Sequence, residues 1–302
     1  MTKRRNVLST LALAGAAALT LAGCASGTGG AGGSGTADGP ADRPVEIAVF
    51  NGWDEGIAAS HLWQAILEDK GYDVTLTYAD VAPVYLGLTR GDFDVVLDTW
   101  LPTTHADYME QYGDKVEDLG AWNDEAKLTV AVNEDAPISS LDELAGSADA
   151  FGGRIVGIEP GSGLMRITGD DVVPGYGLEK MDLVESSTPA MLAELKKATD
   201  AGQNIAVTLW RPHWAYNAFP VKDLEDPKGL LGAAESIHSV AATSFAQDFP
   251  EVHGWISGFR MPSEKLYSLE DAMFNAGSSD DYGPVVKAWI DENREWVDSL
   301  TS

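Results

Sequence analysis

The sequence predicts an α/β fold built largely on parallel strands, and three observations predict it. A β-α-β-α-β succession occurs twice, once on each side of about residue 125. Apolar runs of strand length alternate with stretches whose apolar residues recur at helical spacing. Three strands run into a tryptophan, Trp53, Trp100 and Trp210, at the strand ends where an open α/β sheet receives its ligand. Strands connected in this way are parallel, with right-handed crossovers.

In the first succession, Val45 to Phe50 reads as an apolar strand. Ile57 to Lys70 reads as a helix, with Ile57, Ala58, Leu62, Ala65 and Ile66 at helical spacing. An alternating strand over 73–78, a helix over 83–89, the Gly91-Asp92 turn and a strand over 93–98 follow. Beyond His105 a short polar helix leads to Gly120.

The second succession opens with a strand over 126–132. Ser140-Leu141-Asp142-Glu143 fits a capping box for a helix ending near Ala150. A strand over 154–158 runs into the Gly-rich turn Gly161-Ser162-Gly163, and a strand over 181–185, a helix over 189–201 and a strand over 205–210 complete the pattern. Past Pro220 come a loop over 222–232, an extended segment over 236–243 and two or three helices. In the last of these, Trp289 and Trp296, seven apart, predict one buried helical face.

The N-terminus reads as an export signal. Lys3-Arg4-Arg5 precede an uncharged apolar run and then Leu21-Ala22-Gly23-Cys24, the pattern of a secretory segment over 1–23. Cys24 is the single cysteine, so it has no intrachain disulfide partner. Its position resembles the lipobox of bacterial lipoproteins, whose cysteine takes a diacylglyceryl group and becomes the mature N-terminus; a stray thiol beside an ordinary cleavage site is the alternative. The apolar run is short for a membrane span. Arg4-Arg5 fits twin-arginine export, or a chance pair in a Sec signal. Residues 24–43, rich in Gly, Ser and Ala, read as a flexible tether.

The formal net charge is -27, with 47 acidic against 20 basic residues. Nucleic acid is thereby excluded as a partner, because phosphate binding needs clustered Lys and Arg. The acidity reads as solubility at a cell surface.

The candidate chemistry is recognition. Trp faces around a cavity attract a cation through the ring quadrupole, and a methylated ammonium suits them best because it forms no hydrogen bonds and is weakly hydrated. The turn at Gly161-Ser162-Gly163 could hold a small anion at a helix start, or could be a tight turn and nothing more. It lacks the spacing of a dinucleotide site and the Lys of a phosphate loop. His105 could donate to a ligand carboxylate or cap the helix after Pro102, while His213 and His238 read as structural. A cation cage beside an anion site describes a zwitterion receptor. No nucleophile elbow, His-Glu-x-x-His or Ser-x-x-Lys pattern occurs. Asp54 and Glu55 could serve as acid and base of a secreted hydrolase, the remote alternative, or as charges at a helix N-terminus. No catalytic residue, metal or cofactor is assigned.

Trp53-Asp54-Glu55, Trp100-Leu101-Pro102 with Thr104-His105, Gly157-Ile158-Glu159-Pro160-Gly161-Ser162-Gly163, Trp210 with Pro212-His213-Trp214, and Asp226-Pro227-Lys228-Gly229 carry a family resemblance. From Val45 to about His238 the chain resembles the substrate-binding lipoproteins of glycine betaine/proline betaine ABC transporters. The resemblance implies a type II periplasmic-binding-protein fold of two lobes, each a mostly parallel sheet flanked by helices, with ligand in the interlobe cleft. Lobe one would span 44–122 with 241–302, and lobe two 123–240. It also implies that Trp53, Trp100 and Trp210 surround a trimethylammonium group, while His105 and the backbone amides of Gly157 and Ile158 hold the carboxylate.

Two positions depart from the family pattern: Leu209, where a small residue is expected, and Arg211, where a neutral one is common. An arginine there would repel a cation unless it faces solvent or the ligand carboxylate. The implied role is a monomeric, extracytoplasmic, lipid-anchored component that hands a compatible solute, glycine betaine and also proline betaine, to an ABC permease and its ATPase. A receptor for choline or another quaternary amine or sulfonium is the alternative; choline would leave the anion side unpaired.

Overall fold

The computed structural model describes residues 43–275 and 281–302; the export segment, Cys24 and the tether up to residue 42 lie outside the described residues. Val45–Phe50 (β1) is buried at five of its six positions, as a strand covered on both faces must be. It pairs in parallel with Val74–Ala79 (β2) and Val95–Leu101 (β3). The crossovers are Asp54–Asp69 (α1) and Val81–Arg90 (α2). Leu62, Trp63 and Leu67 of α1 are fully buried. Gly91 ends α2 with φ 75°, the left-handed cap that glycine adopts without strain.

Ala106–Tyr112 (α3) leads to Val116–Asn133 (β4), an 18-residue strand far longer than the 126–132 expected. Its pairing with Glu235–Ala242 (β9) shifts register three times, around Gly120, Asn123 and Ala126. These irregularities break the two-residue alternation by which a strand is read.

Leu141–Leu144 (α4) carries the predicted capping box, Glu143 accepting from the Ser140 N–H at 3.0 Å. Then come Arg154–Val156 (β5), Gly163–Ile167 (α5), Val173–Gly175 (α6), Asp182–Val184 (β6), Thr188–Asp200 (α7), Ala206–Arg211 (β7), Ala215–Ala218 (α8) and Val221–Asp223 (β8). After β9 follow Phe245–Asp248 (α9), Pro250–Ser257 (α10), Ser263–Glu270 (α11), Gly283–Glu292 (α12) and Arg294–Ser299 (α13).

The strands run β2-β1-β3-β9-β4-β7-β5-β6, with β8 beside β4. The sheet is mixed. Two parallel groups, β2-β1-β3 and β7-β5-β6, are joined through the antiparallel strands β9 and β4. The expected strand over 126–132 is the last part of β4 and runs antiparallel to β7, so the second parallel succession begins only at β5. The single helical face expected at Trp289 and Trp296 is two helices, α12 and α13, parted at Asn293. The two indoles meet edge to face at 5.8 Å.

Candidate functional site

Three indoles converge. Trp53 precedes the first turn of α1, while Trp100 and Trp210 are the next-to-last residues of β3 and β7. Together with His105 and Ile158 they line one cavity. Pro102 and Pro212, each after a cis peptide bond, turn the chain out of the two strands. Leu209, paired with Thr129 on β4, points by strand alternation to the face opposite Trp210 and is buried there.

His105 is fully buried and its Nδ1 accepts the backbone N–H of Trp100 at 2.8 Å. A ring nitrogen that accepts carries no proton, so the proton of the neutral imidazole is on Nε2. That nitrogen is buried with no partner. Burial, helped by the positive charge of Arg166, pushes the imidazole down to about 3, so it is a neutral donor. The ring lies parallel to Trp53, 5.5 Å away. His105 occupies the N-cap position of α3, but its side chain caps nothing. The loop that carries it is held by Glu235, which accepts the N–H groups of Thr103 and Thr104 at 2.6 and 2.8 Å and also the Thr104 hydroxyl.

The amides of Gly157 and Ile158 are not equivalent. The Gly157 N–H donates to Val184 O at 2.9 Å, continuing the β5–β6 pairing, and is unavailable to a ligand. The Ile158 N–H faces only the Met165 thioether, 3.4 Å away, a weak acceptor that an anion would displace. A Cβ at 157 would come within 2.9 Å of the backbone oxygen of Val184, which cannot swing aside, as well as displacing the Met165 side chain. Ser162 lines the cavity, and its hydroxyl accepts the Met165 N–H at 3.3 Å as the N-cap of α5.

Carboxylates hold the indole edges. Glu55 accepts the Nε1–H of Trp210 at 2.8 Å, Asp98 that of Trp100 at 2.9 Å, and Asp54 that of Trp214 at 2.5 Å. Asp54 and Glu55, both in the first turn of α1, thus each anchor an aromatic ring. Burial pushes the Asp54 carboxyl up to about 7 and raises those of Glu55 and Asp98. Trp53 Nε1 is buried without a partner.

His213 is structural: its Nδ1 accepts the Ala215 N–H at 3.0 Å and its ring stands edge-on to Trp210 at 4.6 Å. His238 pairs with Asp118 at 2.9 Å. Arg211, about one-third exposed, is held at the end of β7 by Asp223. Its Nε donates to Asp223 at 2.9 Å and its guanidinium lies 3.4 Å above the Tyr216 ring, so it brings no positive charge to the cage.

Leu128 and Leu164 also line the cavity and carry no sequence signal of it. Leu128 arrives because β4 pairs it with Trp210, which only the register decides. Among the described residues, no group of three or more His, Cys, Asp or Glu could hold a metal ion. The arrangement can take a soft cation on its ring faces and an anion at the His105 Nε2–H and the Ile158 N–H.

Residues 43–292 match the family described as the substrate binding domain of ABC-type glycine betaine transport system. The chain is 32% identical over 152 residues to the glycine betaine/carnitine transport binding protein GbuC of Listeria monocytogenes. That match covers 48% of this chain, and the chain spans about half, 49%, of the relative's length. Among solved structures, lactococcal OpuAC in its closed-liganded conformation complexed with glycine betaine is similar at 28% identity and TM-score 0.79. The likeness covers 86% of this chain and all of that one. An ABC-transporter choline binding protein in complex with choline is similar at 25% identity and TM-score 0.77, over 84% of this chain and 90% of that one.

Proposed function

The chain belongs to the family of substrate-binding domains of ABC-type glycine betaine transport systems, and on that premise we propose that it is an extracytoplasmic receptor for glycine betaine, and also proline betaine, that delivers its ligand to an ABC permease driven by an ATPase. The observation that carries this reading is one cavity with three indole walls and an unspent, neutral His105 Nε2–H. Trp53, Trp100 and Trp210 would receive the quaternary ammonium, each ring worth roughly 0.5–2 kcal/mol when desolvated. His105 and the Ile158 N–H would receive the carboxylate, without Gly157.

In this proposal β1–β3, β9 and the terminal helices form lobe one, and β5–β8 with their helices form lobe two. β9, which a division at residue 240 would cut, pairs with β3 and β4, and this supports counting it with lobe one. The ligand touches both lobes, so binding selects the closed form. The role is binding and hand-over, with no catalytic step. After Sec or Tat export and removal of residues 1–23, a diacylated Cys24 would anchor the monomer, two acyl chains giving the stable attachment that one does not. Among the described residues, no helix is long and apolar enough to cross a membrane.

Tryptophan-fluorescence titration of the purified chain with glycine betaine, proline betaine and choline tests the reading. Saturable changes with the two betaines and a weaker one with choline are expected. A preference for choline would keep the indole cage and discard the carboxylate site, and no response to any of the three would overturn the receptor.

A further inference from the structure

Behind the indoles lie four buried carboxylates, Asp54, Glu55, Asp98 and Glu270. Three of them accept one indole N–H each, Asp98 Oδ2 has no partner, and Glu270 faces only the backbone N–H of Trp214 at the margin of hydrogen-bond range. Among the described residues no lysine or arginine forms an ion pair with any of the four. Their sole partner in ion-pair range is His213, whose Nε2 is 3.5 Å from Asp54 Oδ2, and burial keeps that imidazole neutral. Arg211, next to Trp210, is spent on Asp223.

The groups that act on Glu55 are therefore acidic or neutral on every side. Asp54 stands beside it on α1, Asp98 approaches from β3, and Glu270 comes from the end of α11 with Asp271 behind it. Tyr85 of α2 lies near Asp98, its hydroxyl bonded to Thr99 at 2.9 Å. His105 lines the same cavity and is neutral. A buried anion without a countercharge takes up a proton rather than remain ionised, and burial raises all four carboxyls in that direction. Of the four carboxylates, Glu55 is the one that lines the cavity.

We propose that Glu55 determines the charge specificity of the cage: its carboxylate is the countercharge of the ligand's quaternary ammonium, and it gives up a proton as the ligand binds. The inference rests on the betaine-receptor reading of the same cavity. In the step, the O–H bond of the Glu55 carboxylic acid breaks, both electrons stay on the oxygen, and the proton passes to solvent buffer. The ligand enters unchanged, and no other bond is made or broken. The ionised oxygen keeps the Trp210 N–H as a charge-assisted bond, so ligand loading and the seating of Trp210 strengthen together.

The test is titration calorimetry of the full chain with glycine betaine between pH 6 and 8, in phosphate and in Tris, whose ionisation heats differ. Wild type should release a proton on binding, seen as a buffer-dependent heat, and its affinity should rise by up to about tenfold per pH unit. Glu55→Gln should bind at least tenfold more weakly at pH 8, with a flat profile and no buffer-dependent heat. Choline and its uncharged carbon isostere 3,3-dimethylbutan-1-ol give a second measurement on wild type alone: choline should release a proton and the isostere none.

Betaine binding with pH-independent affinity and buffer-independent heat would overturn the role of Glu55 and leave the receptor reading standing. Undiminished proton release in Glu55→Gln would do the same. A wild-type chain that binds no quaternary ammonium at any pH would overturn the receptor reading, and this inference with it.

Discussion

Glu55 Oε2 accepts the indole N–H of Trp210 at 2.8 Å across 155 residues of chain. One residue heads the helix after β1, and the other ends β7 in the opposite group of parallel strands. Asp54 and Trp214 repeat the contact one step outward. The wall of the cage is therefore completed by groups that meet only when both parts of the sheet present their strand ends to one another.

The three cage tryptophans should not be equivalent. Trp53→Ala removes a ring face, at a cost to glycine betaine affinity of roughly 1–3 kcal/mol. Trp100→Ala and Trp210→Ala also strip Asp98 and Glu55 of their donors. Leaving a buried acceptor unpaired costs about 1–3 kcal/mol more, which should appear as lowered thermal stability of these two variants. Fluorescence or calorimetric titration with thermal unfolding reads both effects, and unchanged affinity in two of the three variants would discard the cage.

His105→Ala should weaken glycine betaine by roughly 1.5–3 kcal/mol, the range for a hydrogen bond to a charged group, and choline by less, since choline has no carboxylate to lose. Because burial holds the imidazole near 3, His105 does not titrate at neutral pH. The variant should therefore keep the pH profile of the wild type. Equal losses for both ligands would reduce His105 to a support of the Trp100 backbone.

Gly163→Ala tests the closeness of the two loops at the site. A Cβ there would lie 2.2 Å from the carbonyl oxygen of Thr104, and a backbone atom cannot swing aside as a side-chain tip can. The loop bearing His105 must retreat from α5. At least tenfold weaker betaine binding is expected, with a circular dichroism spectrum like that of wild type. Full affinity would show that the approach of Gly163 to Thr104 is dispensable.

Stability without ligand should fall as pH rises from 6.5 to 8. The buried histidines His105 and His213, both held near 3 in the folded chain, are half charged at pH 6.5 in the unfolded chain and neutral by 8, so across this interval they oppose the trend by only about 0.4 kcal/mol each. Asp54 has a folded value of about 7 against an ordinary 3.8. The folded chain thus binds the extra proton, and the stability linked to it is present below 3.8 and lost as pH climbs through 7. For Asp54 alone the whole effect is on the order of 4 kcal/mol, part of it within this interval, and Glu55, Asp98 and Glu270 act in the same direction. The melting temperature of the ligand-free chain should drop across the interval, and glycine betaine should restore most of it at pH 8. A rising melting temperature would show that the cluster is ionised and compensated at neutral pH.

Much of this protein is legible locally. Alternation and helical spacing mark β1, α1, β2, α2 and β7 to within a few residues, because each buries a face that its own side chains define. The capping box at Ser140 and the strand-ending tryptophans are local chemistry too, and the tryptophans, His105 and Ile158 do line one cavity.

Other features have no local cause. The length of β4 depends on β9, more than a hundred residues downstream, which supplies hydrogen bonds to a stretch whose own pattern is broken. The Gly157 N–H is spent because β6 arrives beside it, and Leu128 reaches the cavity through the register of β4 on β7. Arg211 turns away because β8 brings Asp223 to it. The sequence by itself determined which segments become strands and helices and which residue types could recognise a betaine. Only the tertiary structure decided which donors remain unspent and which carboxylates share a buried, uncompensated charge. A hydrogen-bonding group is spent or free, and a carboxyl ionised or protonated, according to neighbours that folding supplies from distant parts of the chain.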